Sequence, residues 1–163
     1  MMKKSVAFYS LEGNTKFIAA CIARAIDADL LELKVKKSLE KGSFMRFFWG
    51  GKQVFMREKP ELYPLDKDPK DYDMIFIGTP VWAFTYSAPL NTFFHQANLR
   101  NKKIALFCSH SGGMKNTLND MSKALSGNEI VGSMDFLDPL KNGAKASAEK
   151  AKHWALKMVM ASK

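Results

Sequence analysis

Ser5-Val6-Ala7-Phe8-Tyr9-Ser10-Leu11-Glu12-Gly13-Asn14-Thr15-Lys16-Phe17-Ile18 is the stretch on which the fold turns. Ser5 to Tyr9 is a short apolar run of strand character. Phe17, Ile18, Cys21, Ile22 and Ala25 then recur at helical spacing. Only Ser10 to Lys16 separates the two, so the chain passes from strand to helix through one tight turn.

The same switch of period repeats downstream. Leu31, Leu33 and Val35 alternate with Glu32 and Lys34, the period of two of a strand buried on one face, which predicts a sheet edge. Met74 to Ile77 and Ile104 to Cys108 are continuous apolar runs, as expected of central strands covered on both faces. Leu90, Phe93, Phe94 and Ala97, then Met114, Leu118, Met121 and Leu125, mark two amphipathic helices. Ile130 to Phe136 is a weaker strand broken by Gly132, and Ala151, Trp154, Ala155 and Met158 mark a last helix. The irregular part is Lys36 to Asp71, which contains Gly50-Gly51, Pro60, Pro64 and Pro69.

Alternation of strand and helix gives a parallel sheet with helices on both faces, because right-handed crossovers leave few other connections. The expected class is α/β: a three-layer α-β-α sandwich with a five-stranded parallel sheet of order 2-1-3-4-5. A six-strand dinucleotide fold would need another strand. With 163 residues, 47% of them hydrophobic, residues 1–163 are expected to form a single domain.

The longest apolar runs are far below the roughly 20 residues that span a bilayer, so no membrane span is expected. Val6 to Tyr9 after Lys3 and Lys4 is too short for a secretory leader, which points to a cytoplasmic protein. Cys21 and Cys108 form no CxxC and read as small core residues rather than metal ligands or a redox dithiol.

In a sheet of this order, ligands bind beyond the carboxyl ends of the strands where strands one and three diverge. Three loops meet there. In the first, the Ser10 and Thr15 hydroxyls, the Asn14 side chain and the N–H groups opening the helix suit a phosphate dianion, with Gly13 allowing a tight turn. The alternative is that Asn14 or Thr15 simply caps the helix. The second, Gly78-Thr79-Pro80-Val81-Trp82-Ala83-Phe84-Thr85-Tyr86, gathers aromatic rings suited to stacking on a flat heterocycle, the alternative being that Trp82 and Phe84 fold back into the core. The third, Ser109-His110-Ser111-Gly112-Gly113, offers backbone N–H groups, and its diglycine permits close approach. His110 reads either as an exposed polar residue or as a catalytic one; His95 and His153 lie on predicted helices.

Tyr9-Ser10-Leu11-Glu12-Gly13-Asn14-Thr15 resembles the phosphate loop of flavodoxins, and Gly78-Thr79-Pro80-Val81-Trp82, with Pro89 beyond it, resembles the loop of that family that packs against the isoalloxazine ring. The resemblance extends over nearly the whole chain in length, element order and loop position. It departs at Glu12, where the family usually has a hydroxyl: one donor is lost and a carboxylate gained, with Lys16 placed to offset that charge. It departs again in the third loop, where a stacking Tyr is often found; that face is left to His110, to Phe84 or to nothing.

The resemblance implies FMN bound non-covalently, held by Ser10, Leu11, Glu12, Gly13, Asn14 and Thr15 around the phosphate. Thr79, Pro80, Val81, Trp82, Ala83, Phe84 and Thr85 would lie along one side of the ring, and Ser109, His110, Ser111, Gly112 and Gly113 along another. It implies an electron carrier cycling the flavin between oxidised, semiquinone and hydroquinone forms. No catalytic residue or metal is required, and no metal-spaced His and Cys cluster or Ser-His-Asp set can be assembled. The alternatives are an NAD(P)H-dependent flavin or quinone reductase on the same fold, and a flavin-free binding module.

The net charge of +9 is concentrated. Between Lys34 and Lys59 stand eight basic residues (Lys34, Lys36, Lys37, Lys41, Arg46, Lys52, Arg57, Lys59) against Glu40 and Glu58, interleaved with Phe44, Phe47, Phe48, Trp49 and Phe55. Three readings follow, in order: a solvated face with core anchors, a docking surface for an acidic redox partner, and a platform for nucleic acid or anionic lipid. Redox partner proteins are thus the expected partners, and nucleic acid is not.

Overall fold

In the computed structural model, which describes residues 1–36 and 59–163, the turn at Ser10 to Gly13 joins β1 (Lys4–Phe8) to α1 (Asn14–Ile26). Then follow β2 (Asp29–Glu32), a 3₁₀ turn (Pro69–Asp71), β3 (Met74–Trp82), β4 (Thr85–Tyr86), α2 (Ala88–Ala97), β5 (Lys103–His110), α3 (Thr117–Ala124), β6 (Glu129–Leu137) and α4 (Ala144–Ala161). The basic aromatic segment read from the sequence lies, between residues 37 and 58, outside the described residues.

The parallel strands run in the order β2-β1-β3-β5-β6, with β4 attached antiparallel to the end of β3. Counting only the parallel strands, this is the expected 2-1-3-4-5. The reason is visible in the alternation of side chains along the central strands. Val6, Phe8, Met74, Phe76, Ala105 and Phe107 face α1 and α4, whereas Ala7, Ile75, Ile77, Ile104 and Leu106 face α2 and α3. Both faces need cover, and only helical crossovers on both sides supply it. Trp154 of α4 meets Phe76 and Phe107 edge-on, at 5.4 and 6.4 Å between ring centroids.

Three elements depart from the sequence reading. The alternation of Leu31 and Leu33 is real, and both are buried, but β2 stops at Glu32; Val35 instead pairs antiparallel with Leu62, so the strand turns away from the sheet. Met114 lies ahead of α3, exposed, because the diglycine loop leaves the helix to begin only at Thr117. Gly132 does not break its strand. β6 runs through it with a bulge at Val131, since Ile104 pairs with Ile130 and Ala105 with Gly132. The missing side chain makes room for Met158, whose sulfur would lie 2.3 Å from a Cβ at that position.

Among the described residues, no helix is long and apolar enough to cross a membrane, and no His, Cys, Asp and Glu cluster could hold a metal ion. Cys21 and Cys108 are free thiols; Cys108 is fully buried and burial pushes its thiol up to about 12, so it is packing rather than chemistry.

Candidate functional site

The carboxyl ends of β1, β3 and β5 lie side by side, so the segments that leave them are neighbours by construction. Gly13, at φ +98°, begins α1 without a side-chain cap; neither Asn14 nor Thr15 plays that part. Ser10 Oγ accepts from Gly13 N–H at 3.2 Å, which closes the turn. Asn14 Oδ1 accepts from Leu140 N–H at 3.2 Å, tying the turn to the loop after β6. The Thr15 and Ser109 hydroxyls are hydrogen-bonded at 2.7 Å in a buried position, which locks the first loop to the third. The N–H groups of the first helical turn have no intrahelical acceptor, which makes this turn a site for an anion.

The second segment is not an open loop. β3 continues to Trp82 and folds back as a hairpin onto Thr85–Tyr86, with Ala83 and Phe84 alone at the tip. Thr79 and Thr85, expected beside a ligand, are instead fully buried ties. Thr79 Oγ1 donates to Ser87 Oγ at 3.0 Å and accepts from Ser87 N–H at 2.9 Å, and Thr85 Oγ1 donates to Asp120 Oδ2 at 2.6 Å. Their strand positions turn both side chains away from the cleft. Trp82 is only 5% exposed and meets Tyr9 edge-on at 5.4 Å, so most of the ring is core even though part of it lines the cleft. Phe84, 63% exposed, is the ring at the rim.

In the third loop, His110 is neither exposed nor free for catalysis. Its side chain is 7% exposed, with Nε2 2.8 Å from Asp135 Oδ2 and Nδ1 accepting from Gly113 N–H at 2.9 Å. Because Nδ1 accepts, the ring proton sits on Nε2 and is given to Asp135. That hydrogen bond, ahead of the nearby Lys150 charge, holds the Asp135 carboxyl below its ordinary range. His110 therefore pins the diglycine loop to β6.

Together these segments enclose a cleft of about 340 Å³. Ser10, Leu11, Glu12, Asn14, Thr15, Pro80, Val81, Trp82, Ala83, Phe84, Ser109, His110, Ser111, Gly112 and Gly113 line it; Gly13, Thr79 and Thr85 do not. Lys115 and Asp138 also line it and were missed by the sequence reading. The signal for Asp138 was available: it follows β6, whose carboxyl end the topology puts on the same edge, and its Oδ1 accepts from Ser111 Oγ at 2.6 Å. Lys16, expected to offset Glu12, forms its ion pair with Glu32 at 3.1 Å.

An anion-receptive helix start, a flanking aromatic hairpin and a glycine loop around one cleft, at the switch point of a doubly wound sheet, define a nucleotide-type binding domain. Residues 3–157 match the flavodoxin family, and the chain belongs to it. Among solved structures, it is similar over 89% of its length to the whole of a flavoprotein from Lactobacillus acidophilus in complex with FMN, at 24% identity and a TM-score of 0.70. A structure from Bacteroides uniformis matches over 94% of this chain and 97% of that one, at 23% identity and a TM-score of 0.77. Oxidised flavodoxin 1 of Bacillus cereus matches over 97% of each chain, at 18% identity and a TM-score of 0.59. At these identities the likeness is one of fold. No curated protein matches the sequence.

Proposed function

We propose that the chain binds FMN in this cleft and acts in the cytoplasm as a small electron carrier. The observation that carries the reading is the convergence of all three loops on one cleft, with Thr15 and Ser109 hydrogen-bonded across it at 2.7 Å. The residues present fit the group. The first turn of α1, the Ser10 hydroxyl and the Asn14 amide would hold the phosphate, while Pro80 to Phe84 and Ser109 to Gly113 would flank the ring. Bound FMN supplies one- and two-electron transfer at that ring.

The protein's own part is binding, orientation and exclusion of water. His110 has both ring nitrogens engaged, Nε2 with Asp135 and Nδ1 with the Gly113 amide, so neither is left to act in the cleft. This favours a carrier over an enzyme with an acid–base step of its own. For the partner, we propose a protein with an acidic docking surface. Lys145, Lys152, Lys157 and Lys163 are exposed along α4 and the chain end, against Glu149, so basic charge extends beyond the 34–59 segment.

The test is titration of the purified chain with FMN, followed by stepwise anaerobic potentiometry and by incubation with NAD(P)H alone. Stoichiometric binding, two resolved one-electron steps and no NAD(P)H oxidation without an added reductase are expected. Turnover of NAD(P)H by the chain alone would replace the carrier with a flavin or quinone reductase. Absence of binding at micromolar FMN would overturn both and leave a flavin-free binding module. Reduction by candidate partners should slow as ionic strength rises; a rate indifferent to salt would remove the acidic partner.

A further inference from the structure

We infer that Glu12 sets the ligand preference of this cleft: its uncompensated carboxylate at the phosphate end weakens the hold on FMN and narrows the preference for FMN over riboflavin, the same ring without the phosphate. The inference rests on the FMN reading above.

Glu12 is exposed and lines the cleft beside Asn14 and Thr15, where the first turn of α1 would receive an anion. The cation nearest to it in sequence is spent elsewhere: Lys16 Nζ donates to both carboxylate oxygens of Glu32, at 3.1 and 3.2 Å, at the end of β2. No described cation forms an ion pair with Glu12. Of the other described ionisable residues lining the cleft, Lys115 and Asp138 are of opposite sign, and His110 is tied through its two ring nitrogens to Asp135 and Gly113. Among the described residues, Glu12 therefore tips the carboxylates and the lysine of the lining to one net negative charge.

Against this stands the helix start, worth about half a unit of positive charge. A phosphate monoester carries about −1.5 to −2 at neutral pH, so the full charge on Glu12 outweighs the helix start at comparable distance. Gly13 has already committed its amide N–H to Ser10 Oγ, which leaves one donor fewer for the anion. Riboflavin, which is uncharged at this end, does not feel the carboxylate. FMN is accordingly a readily exchanged ligand of this chain.

The experiment measures dissociation constants for FMN and riboflavin, by quenching of flavin fluorescence, in the wild-type chain, Glu12→Gln and Glu12→Thr. Circular dichroism checks the fold, which these exposed substitutions should leave intact. Removing one like charge next to the phosphate is expected to tighten FMN about tenfold, while riboflavin changes less than about twofold. The FMN dissociation rate should fall in step. If FMN affinity is unmoved in both variants, or riboflavin tightens equally, the inference is overturned while the FMN reading stands. If no variant binds either flavin, the FMN reading itself fails and takes the inference with it.

Discussion

Gly78 and Gly132 show how much a single absent Cβ can decide, and why two glycines in strands are not equivalent. Gly78 sits opposite Phe107 on the neighbouring strand, and the ring lies across it, with atoms 2.1 to 2.7 Å from where a Cβ would be. Phe107 is fully buried against Trp154 and has nowhere to go. Gly78→Ala is therefore expected to cost about 1–3 kcal/mol. At Gly132 the obstacle is the tip of Met158, a flexible thioether, so Gly132→Ala should cost less than about 1 kcal/mol. Urea midpoints of the two variants decide this; equal losses would mean that the Met158 side chain is held as rigidly as the ring. His110 makes a second test at this scale. His110→Leu removes the acceptor of Gly113 N–H, and exchange of that amide should speed up about tenfold, the equivalent of one lost hydrogen bond. The sequence marked His110 as notable but could not say for what, because Asp135 and Gly113, which settle its role, lie 25 and 3 residues away.

Among the elements, the β3–β4 hairpin is the one whose local sequence argues least for its structure. Its two-residue tip needs positive φ at both positions, and Ala83 and Phe84 adopt +45° and +69° without a glycine or asparagine to ease them. Strain of about 1–3 kcal/mol per residue is held in place by the Thr79–Ser87 and Thr85–Asp120 ties below it. Ala83→Asn should raise the melting temperature, as a residue better suited to the left-handed region, without moving Phe84 from the rim. Thr85→Val, which leaves Asp120 without that donor, should lower stability by about 1 kcal/mol. A melting temperature unchanged or lowered in Ala83→Asn would argue against the strained turn. The aromatic string 78–86 was legible as a special segment, but not as a hairpin: an unfavourable turn sequence hides it, and only the buried threonines below explain why it forms.

Across the whole molecule, two tyrosines on the α2 and α3 side of the sheet have most of their surface buried. Burial, reinforced by a hydrogen bond to Asp29, pushes the Tyr72 hydroxyl up to about 12, and burial beside the Asp120 charge does the same for Tyr86. A folded pKa above the unfolded value of 10.0 gives stability that is complete below pH 10 and lost as pH rises towards 12, because the unfolded chain ionises first. Urea midpoints should be level up to about pH 10 and then decline. Tyr86→Phe should flatten part of that decline; an identical profile would remove Tyr86 from the account. On the acid side the sign reverses. The Asp135 carboxyl, held low by His110, contributes stability above its ordinary range that disappears as pH falls through the depressed value.

The fold was decided by the sequence alone because hydrophobic period is a local property. The run Ser5 to Tyr9, the helical repeat from Phe17, and the two continuous apolar strands need no knowledge of their neighbours, and right-handed crossovers leave one economical way to connect them. The three cleft segments followed, since strand order dictates which loops meet. What only the tertiary structure decided is how each side chain in those loops is spent. Thr79 and Thr85 became ties, Trp82 mostly core, His110 a clamp, and Lys16 the partner of Glu32 rather than of Glu12. A hydrogen bond or ion pair depends on distances of about 3 Å between groups far apart in the chain, and no one-dimensional pattern carries that information.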